Sequence, residues 1–392
     1  MPAILGLRGT GDFTPLIERP FNWREMLLYL FPNGEAPLTA LLSKLPSQPT
    51  DDPLFNWWEK RLPTQRQVVN GTIAAGITVL VVVDGAMDCV MGTILMVEES
   101  GELLRVTVDP VNDTTLNVER SWGTVAAAQI TTAWHTYIVG NVHAEGEDVP
   151  TAKSYAPTLA HNDTQIFRMP LSLTRTAKKT RLRWDNTGPY REAKREALSL
   201  HAIEMEKSFI WGNDVVGVGA NGQPMRMTGG VLSFMTTNIG GIFTVGGLLD
   251  EDTLDTLCEA IFRYGATEKL VLCGSTFVKA ITTLGKRNGT LNMVPPDKIY
   301  GMKVIEYLSA FGILYLKMHP LFNQHPTFRQ NALVLDINNL IYRYVDDTAF
   351  IKNRQSPGED LSKDEFLTEA GLEVHFEESH AYIQGVTGAL VA

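Results

Sequence analysis

Residues 190–212 read YREAKREALSLHAIEMEKSFIWG, a charged run rich in Ala, Leu, Glu, Lys, Arg and Met that ends on an aromatic residue and a glycine. Those residue types lose little rotamer freedom on coiling, so they are the best helix formers. Gly188 and Pro189 punctuate the start, and Gly212 supplies the stop. Leu198, Ala202, Met205 and Phe209 recur at helical spacing and define one apolar stripe. At about 1.5 Å per residue the helix is roughly 30–35 Å long, which suits a strut better than a packed-in core helix. Arg191 lies i,i+4 from Arg195, and Glu192 from Glu196, and like charges at that spacing are mildly destabilising. The plain reading is a solvated face with Glu192 near Arg195 and Glu204 near Lys207. The sharper reading is that these charges meet a neighbouring subunit.

The 392 residues allow two or three domains, and 44% hydrophobic residues supply sizeable cores. The start, MPAILGLRGTGDFTP, has neither a basic n-region nor an apolar h-region, so no signal peptide is expected. The longest apolar run, Ile77–Val83, is too short to span a bilayer, and no membrane partner is expected. Lys and Arg total 34 against 44 Asp and Glu, a formal charge of −10 that repels a phosphate backbone and argues against sequence-specific nucleic-acid binding. Cys89, Cys258 and Cys273 are too few and scattered for a disulfide framework or zinc site, and read as reduced core residues.

Prolines at 15, 20, 32, 37, 46, 49 and 53 break up the first part of the chain, which nevertheless carries Phe21, Trp23, Leu27, Leu28 and Phe31. So many prolines preclude a core of its own, so the segment reads as an extended arm with helical turns near 23–31 and 38–44. At its end Trp57 and Trp58 point to different faces, one to core and the other to dock elsewhere. From about Gln67 to Asn141 the pattern is β: ITVLVVV, ILMVE, LLRVTVD, TTLNVERS and HTYIVGN, separated by turn signals about ten residues apart. Consecutive hairpins of this kind predict a small barrel or sandwich, inserted between an outgoing and a returning strand. Residues 217–246 read as a glycine-rich loop. Beyond Leu248 the texture is α/β: helices over 252–264 and 275–284, with strands KLVLC, KVIEYL, GILYLKM and ALVLD, then RYV, LEVHF and AYIQGV in the tail.

The candidate chemistry is thin. Gly217, Gly219 and Gly222 fit G-x-G-x-x-G, but a helix precedes them and Gln223-Pro224 follows, the reverse of a dinucleotide fingerprint. His201 and Glu204, spaced i,i+3, could be metal ligands, but no second such pair exists to complete a site, and a surface histidine is the simpler reading. HAEGED, His143–Asp148, reads as a solvated turn, and Ser275 in CGSTF as a helix N-cap. Lys286 and Arg287 in LGKRNGT read as a small basic loop tip, solvent-exposed by default and able to meet phosphate or a partner carboxylate. No catalytic elbow, phosphate loop or zinc-protease motif is present, so no catalysis, cofactor or metal is expected. An arm and an extended β excursion without a coherent site suggest contacts between copies of the chain.

Four segments, SYAPTLAHNDTQIFRMPLSLTRTA, REAKREALSLHAIEMEKSFIWG, GQPMRMTGGV and EFLTEAGLEVHFEESHAYIQGV, resemble in this order a family of tailed-bacteriophage major capsid proteins. GELLRVTV…NVERSWGT resembles that family's β insertion, and the likeness runs from about Gly71 to Val386. It implies an α+β chain of the Hong Kong ninety-seven type capsid fold. On that plan 1–65 is an N-terminal arm, 66–174 an extended loop with a small β-barrel insertion at about 85–140, and 175–247 a peripheral domain with its spine helix at 190–212. An axial α/β domain spans 248–341, and 342–392 returns to the peripheral domain.

The resemblance further implies self-assembly through hexamers and pentamers into an icosahedral head around double-stranded DNA, in the bacterial host cytoplasm. Scaffolding, portal and cement proteins are further candidate partners. Candidate inter-subunit contacts are Trp57, Trp58, Arg66, Arg191, Glu192, Arg195, Glu196, Lys286 and Arg287. Rival readings are an encapsulin-like nanocompartment holding enzyme cargo, separable by what co-purifies, and a soluble enzyme using His201 and Glu204.

Overall fold

The computed structural model describes residues 38, 47–61, 63, 65–180, 188–235, 241–287, 293–299 and 302–390. The helical turns expected at 23–31 and 38–44 therefore lie outside the described residues, Leu38 excepted. The chain forms two compact units, one from residues 1–57 with 160–392 and one from residues 58–159. Strand Leu54–Glu59 pairs with Thr158–Asp163, which gives the excursion its outgoing and returning strands.

In the larger unit a four-stranded sheet runs in the order Ser47–Pro49, Leu340–Ile351, Leu361–Val374, Gln165–Thr174. Its last two strands pair antiparallel without a break from Gln165 opposite Ala370 to Thr174 opposite Leu361. The helix Pro189–Trp211 packs on this sheet, its Phe209 ring meeting Phe167 edge-on at 5.9 Å and Tyr342 at 6.2 Å. Its buried side begins at Ala197 and continues through His201, Met205, Glu206, Phe209 and Ile210, whereas Leu198 is exposed. The apolar stripe thus starts one residue earlier than its hydrophobic letters suggest, because a polar residue, His201, occupies the buried position. The helix stops where space runs out: a Cβ at Gly212 would lie 2.4 Å from both Ser208 O and Thr228 O, and one at Gly230 would lie 2.7 Å from Ser208 O. That approach lets the Gly230 N–H donate to Gly212 O at 2.9 Å.

A seven-stranded sheet in the same unit runs Ile242–Leu249, Ala381–Ala389, Ala332–Leu335, Glu268–Cys273, Ile313–Met318, Met302–Leu308, Met293–Ile299. Helices Glu251–Ile261 and Ser275–Arg287 bury Leu254, Leu257, Phe277 and Ile281 in the core formed with it. The second helix runs on to Arg287, so Lys286 and Arg287 end a helix instead of forming a loop tip. Asp250 caps the first helix by accepting from the Thr253 N–H at 2.8 Å. Near its other end the buried Lys269 ammonium donates to Ile261 O, Tyr264 O and Ser379 O, each at 2.7 Å. Burial lowers the Lys269 pKa to about 8, with Asp336 opposing.

The described part of residues 217–246 is not a plain loop. They contribute to an antiparallel ribbon of Val215–Val218 with Pro224–Met227 and to a short helix, Val231–Phe234.

In the smaller unit six strands run in the order Arg66–Val68, His135–Asn141, Thr93–Val97, Leu103–Val108, Thr115–Glu119, Val79–Val81. Hydrogen bonds from Asn70 N to Val81 O at 2.9 Å and from Val83 N to Val68 O at 2.8 Å join the two outer strands, closing a small barrel. Inside are Leu80, Val82, Leu95, Val97, Leu104, Val106, Leu116 and Val118, the inward half of each alternating run. The buried Glu102 carboxylate accepts from Arg120 Nε and Nη2, both at 2.8 Å, and from the Ser121 N–H at 3.0 Å. Burial would raise its pKa, but these donors outweigh it and hold the carboxyl below its usual range.

Candidate functional site: assembly surfaces

Asn162, fully buried, is where separate segments of the larger unit meet. Its Oδ1 accepts from the Gly229 N–H at 2.8 Å and the Asp163 N–H at 2.9 Å. Its Nδ2 donates to Leu372 O at 2.6 Å, Gly229 O at 3.0 Å and Thr228 Oγ1 at 3.3 Å. One amide therefore ties strand Thr158–Asp163 to the turn after the ribbon and to strand Leu361–Val374. Gly230 in that turn carries the contact on to the long helix at Gly212. Segments from three distant parts of the sequence, around residues 162, 229 and 372, thus converge at this node.

A second polar tie holds the helix at Glu206. Glu206 Oε1 accepts from His319 Nε2 at 2.7 Å and from the Leu38 N–H at 2.8 Å, all fully buried. His319 Nδ1 accepts from the Leu321 N–H at 3.2 Å, which fixes the ring as the Nε2–H tautomer. Leu38, from the proline-rich segment, is thereby pinned to the long helix. Sequence reasoning missed both ties; a trace of the second is that Glu206 lies i,i+4 from Ala202, an acid on the apolar stripe.

His201 is not at the surface. It is buried between Phe167 and Phe366, with Nε2 2.7 Å from Thr368 Oγ1, and burial lowers its pKa. Glu204 is exposed, so the two do not share a ligand face. Gly217, Gly219 and Gly222 belong to the ribbon and its turn, with no helix N-terminus to receive phosphate.

The candidate contact residues separate clearly. In strand Leu54–Glu59 Trp57 is buried against Phe55, Phe234 and His375, while Trp58 is 65% exposed. Trp57 is thus packed into its own chain, and Trp58 is the one that can meet another molecule. Arg66 donates from Nε and Nη2 to both Glu98 oxygens at 2.7 Å. With Glu99 and His135 nearby, Glu98 belongs to a group close enough to hold a cation, but its two oxygens already accept from Arg66, and Glu99 accepts from the His135 N–H. Arg191, Arg195 and Glu196 are exposed on the long helix, Glu192 is half-buried, and Lys286 is exposed at a helix end. The Arg287 side chain is outside the described residues.

Exposed apolar side chains occur in both units, and on the ribbon Val215, Val216, Val218, Met225 and Met227 all face solvent. Such a surface suits contact with another protein. The model of the SU10 major capsid protein family matches residues 11–387. The chain belongs to that family. It is a phage major capsid protein, a structural component of the virion. The major capsid protein of Pseudomonas phage PaMx41 is 28% identical over 329 residues, 82% of this chain and 77% of that one. Among solved structures, a chain from the capsid of an empty GTA particle is 10% identical, covers 96% of this chain and 98% of its own, and superposes with a TM-score of 0.50. The SrpI encapsulin of Synechococcus elongatus PCC 7942 is 14% identical over 60% of this chain and 79% of its own, at a TM-score of 0.43. The fold is the Hong Kong ninety-seven type. Family membership sets this capsid protein apart from a cargo-holding nanocompartment.

Proposed function

We propose that copies of this capsid protein form hexameric and pentameric capsomers, and that these build an icosahedral head around double-stranded DNA in the host cytoplasm. It catalyses no reaction and contacts the genome without reading sequence. Membership in a major capsid family is the observation that carries this reading. We take Pro189–Trp211 as the spine helix, and its ties to Gly230 at Gly212 and to His319 and Leu38 at Glu206 support the reading by anchoring it in the larger unit. The net charge of −10 suits a wall that must not clamp the DNA it encloses.

In the same reading residues 1–65 are the arm, 66–174 the extended loop, 175–247 with 342–392 the peripheral domain, and 248–341 the axial domain. Trp58, Arg191, Arg195, Glu196 and Lys286 are its proposed contacts with neighbours. Cryo-electron microscopy of particles built from this chain tests it: six-fold and five-fold capsomers with nucleic acid inside are expected. Open tubes without five-fold vertices, or a protein cargo in place of DNA, would overturn it.

A further inference from the structure

The ribbon after the spine helix pairs Val215 with Met227, Val216 with Arg226, Gly217 with Met225 and Val218 with Pro224. One face therefore carries Val215, Met225 and Met227, and the other carries Val216, Val218 and Arg226. All five of those valines and methionines are exposed, Val218 at 77%. The two strands pair only with each other among the described residues, so neither outer edge carries a further paired strand. A two-stranded ribbon is marginal in water, and apolar side chains on both faces stabilise it only once something covers them.

Beside the second face lies a cavity of about 520 Å³ lined chiefly by Leu54, His161, Asp163, Asp214, Val216 and Arg226. The Asp163 side chain is 7% exposed, and the Arg226 Nε stands 3.9 Å away, beyond hydrogen-bond distance. His161 Nε2 is 3.6 Å from Asp214 Oδ2. Burial and then Asp214 raise the Asp163 pKa, with Arg226 and His161 opposing and Asp52 adding to the rise. The cavity thus holds a nearly buried carboxylate whose facing guanidinium stands off at 3.9 Å, with a second carboxylate, Asp214, also in the lining.

We propose that the ribbon and this cavity form one docking surface for a second copy of the chain, which covers the exposed valines and methionines and lays a lysine or arginine side chain against Asp163 and Asp214. The inference rests on the shell reading and names one of its contacts. Charge complementarity selects the occupant: Asp163 and Asp214 line the cavity beside a single arginine, Arg226, while Arg191 and Lys207 stand exposed on the spine helix of the same chain. A second copy brings both an apolar surface and a cation, whereas nucleic acid would be repelled. Ribbon against helix joins unlike surfaces, the head-to-tail contact that generates rings.

The test uses Val218→Cys in the full chain. Cys89, Cys258 and Cys273 are buried, with thiol pKa values raised by burial to about 11, 11 and 12, so a thiol-reactive probe reads the new cysteine. Labelling is expected to be fast in the unassembled chain and at least about tenfold slower in assembled shells. Asp163→Asn with Asp214→Asn, confirmed as folded by thermal melting, is expected to raise the concentration needed for assembly about tenfold. Shells in which the introduced thiol reacts as fast as in the free chain overturn the proposal alone. Unaltered assembly of the double Asn variant overturns its ionic part. Failure of the wild-type chain to assemble under any condition overturns the shell reading and this contact with it.

Discussion

Replacing Asn162 by Leu keeps the volume of the side chain and removes its five hydrogen bonds at once. The Gly229 and Asp163 N–H groups lose their acceptor, and the Leu372 and Gly229 carbonyls lose a donor, all in a fully buried setting. Each stranded buried donor costs about 1–3 kcal/mol, and carbonyls less because each has a second lone pair. The two N–H groups alone give about 2–6 kcal/mol, and since single substitutions rarely exceed about 5, a loss of about 4 kcal/mol is expected. Asn162→Asp should be worse, because it turns a carboxylate oxygen toward the Leu372 and Gly229 carbonyls and buries a charge. Urea unfolding of the unassembled chain, followed by the fluorescence of Trp57 and Trp211, measures both. A cooperative transition with Asn162→Leu within about 1 kcal/mol of wild type would refute the reasoning, since the node would then carry no weight.

Glu206→Ala leaves His319 Nε2–H and the Leu38 N–H without their shared acceptor, and a loss of about 2–5 kcal/mol is expected in the same urea assay, with earlier proteolysis near residue 38. The Glu102–Arg120 pair governs the barrel: its removal by Glu102→Gln should cost about 3–5 kcal/mol, read from Trp122 and Trp134 fluorescence. Because the folded pKa of Glu102 is depressed, its contribution is fully present above the unfolded value of about 4.3 and fades as pH falls through the folded value. Acid unfolding of the Glu102→Gln barrel should therefore lose that part of its pH dependence, and an identical acid profile would count against the pair. The adjacent tryptophans should part company: Trp57→Ala destabilises the chain by about 3–5 kcal/mol, whereas Trp58→Ala changes stability by less than about 0.5 kcal/mol and impairs assembly, as light scattering would show.

The spine helix is legible in the sequence because its composition and its Gly-Pro and Gly punctuation act locally. The barrel strands are legible for a similar reason, since alternating apolar letters between turn signals need no distant partner. What escapes sequence reasoning depends on partners far along the chain. His201 reads as a surface residue until Thr368 is placed against it, and nothing in the sequence singles out Glu206 until His319 and Leu38 converge on it. Asn162 sits in AHNDT, a string that suggests a polar turn but forms a strand once Leu54–Glu59 pairs with it. The ribbon reads as a loop because its glycines hide four regular pairs, and its exposed valines reverse the usual inward logic of β runs. Strands Leu340–Ile351 and Leu361–Val374 are legible only in part, since their acids look solvated until arginines meet them, as Arg343 meets Glu373 and Arg168 meets Glu365.

The most direct test of the shell account is sedimentation of the purified chain combined with negative-stain electron microscopy of the same sample. The account predicts closed particles far heavier than the 43.4 kDa chain, with rings of six or five at low yield among them. A single sharp species at the monomer mass across protein concentration and salt would contradict it.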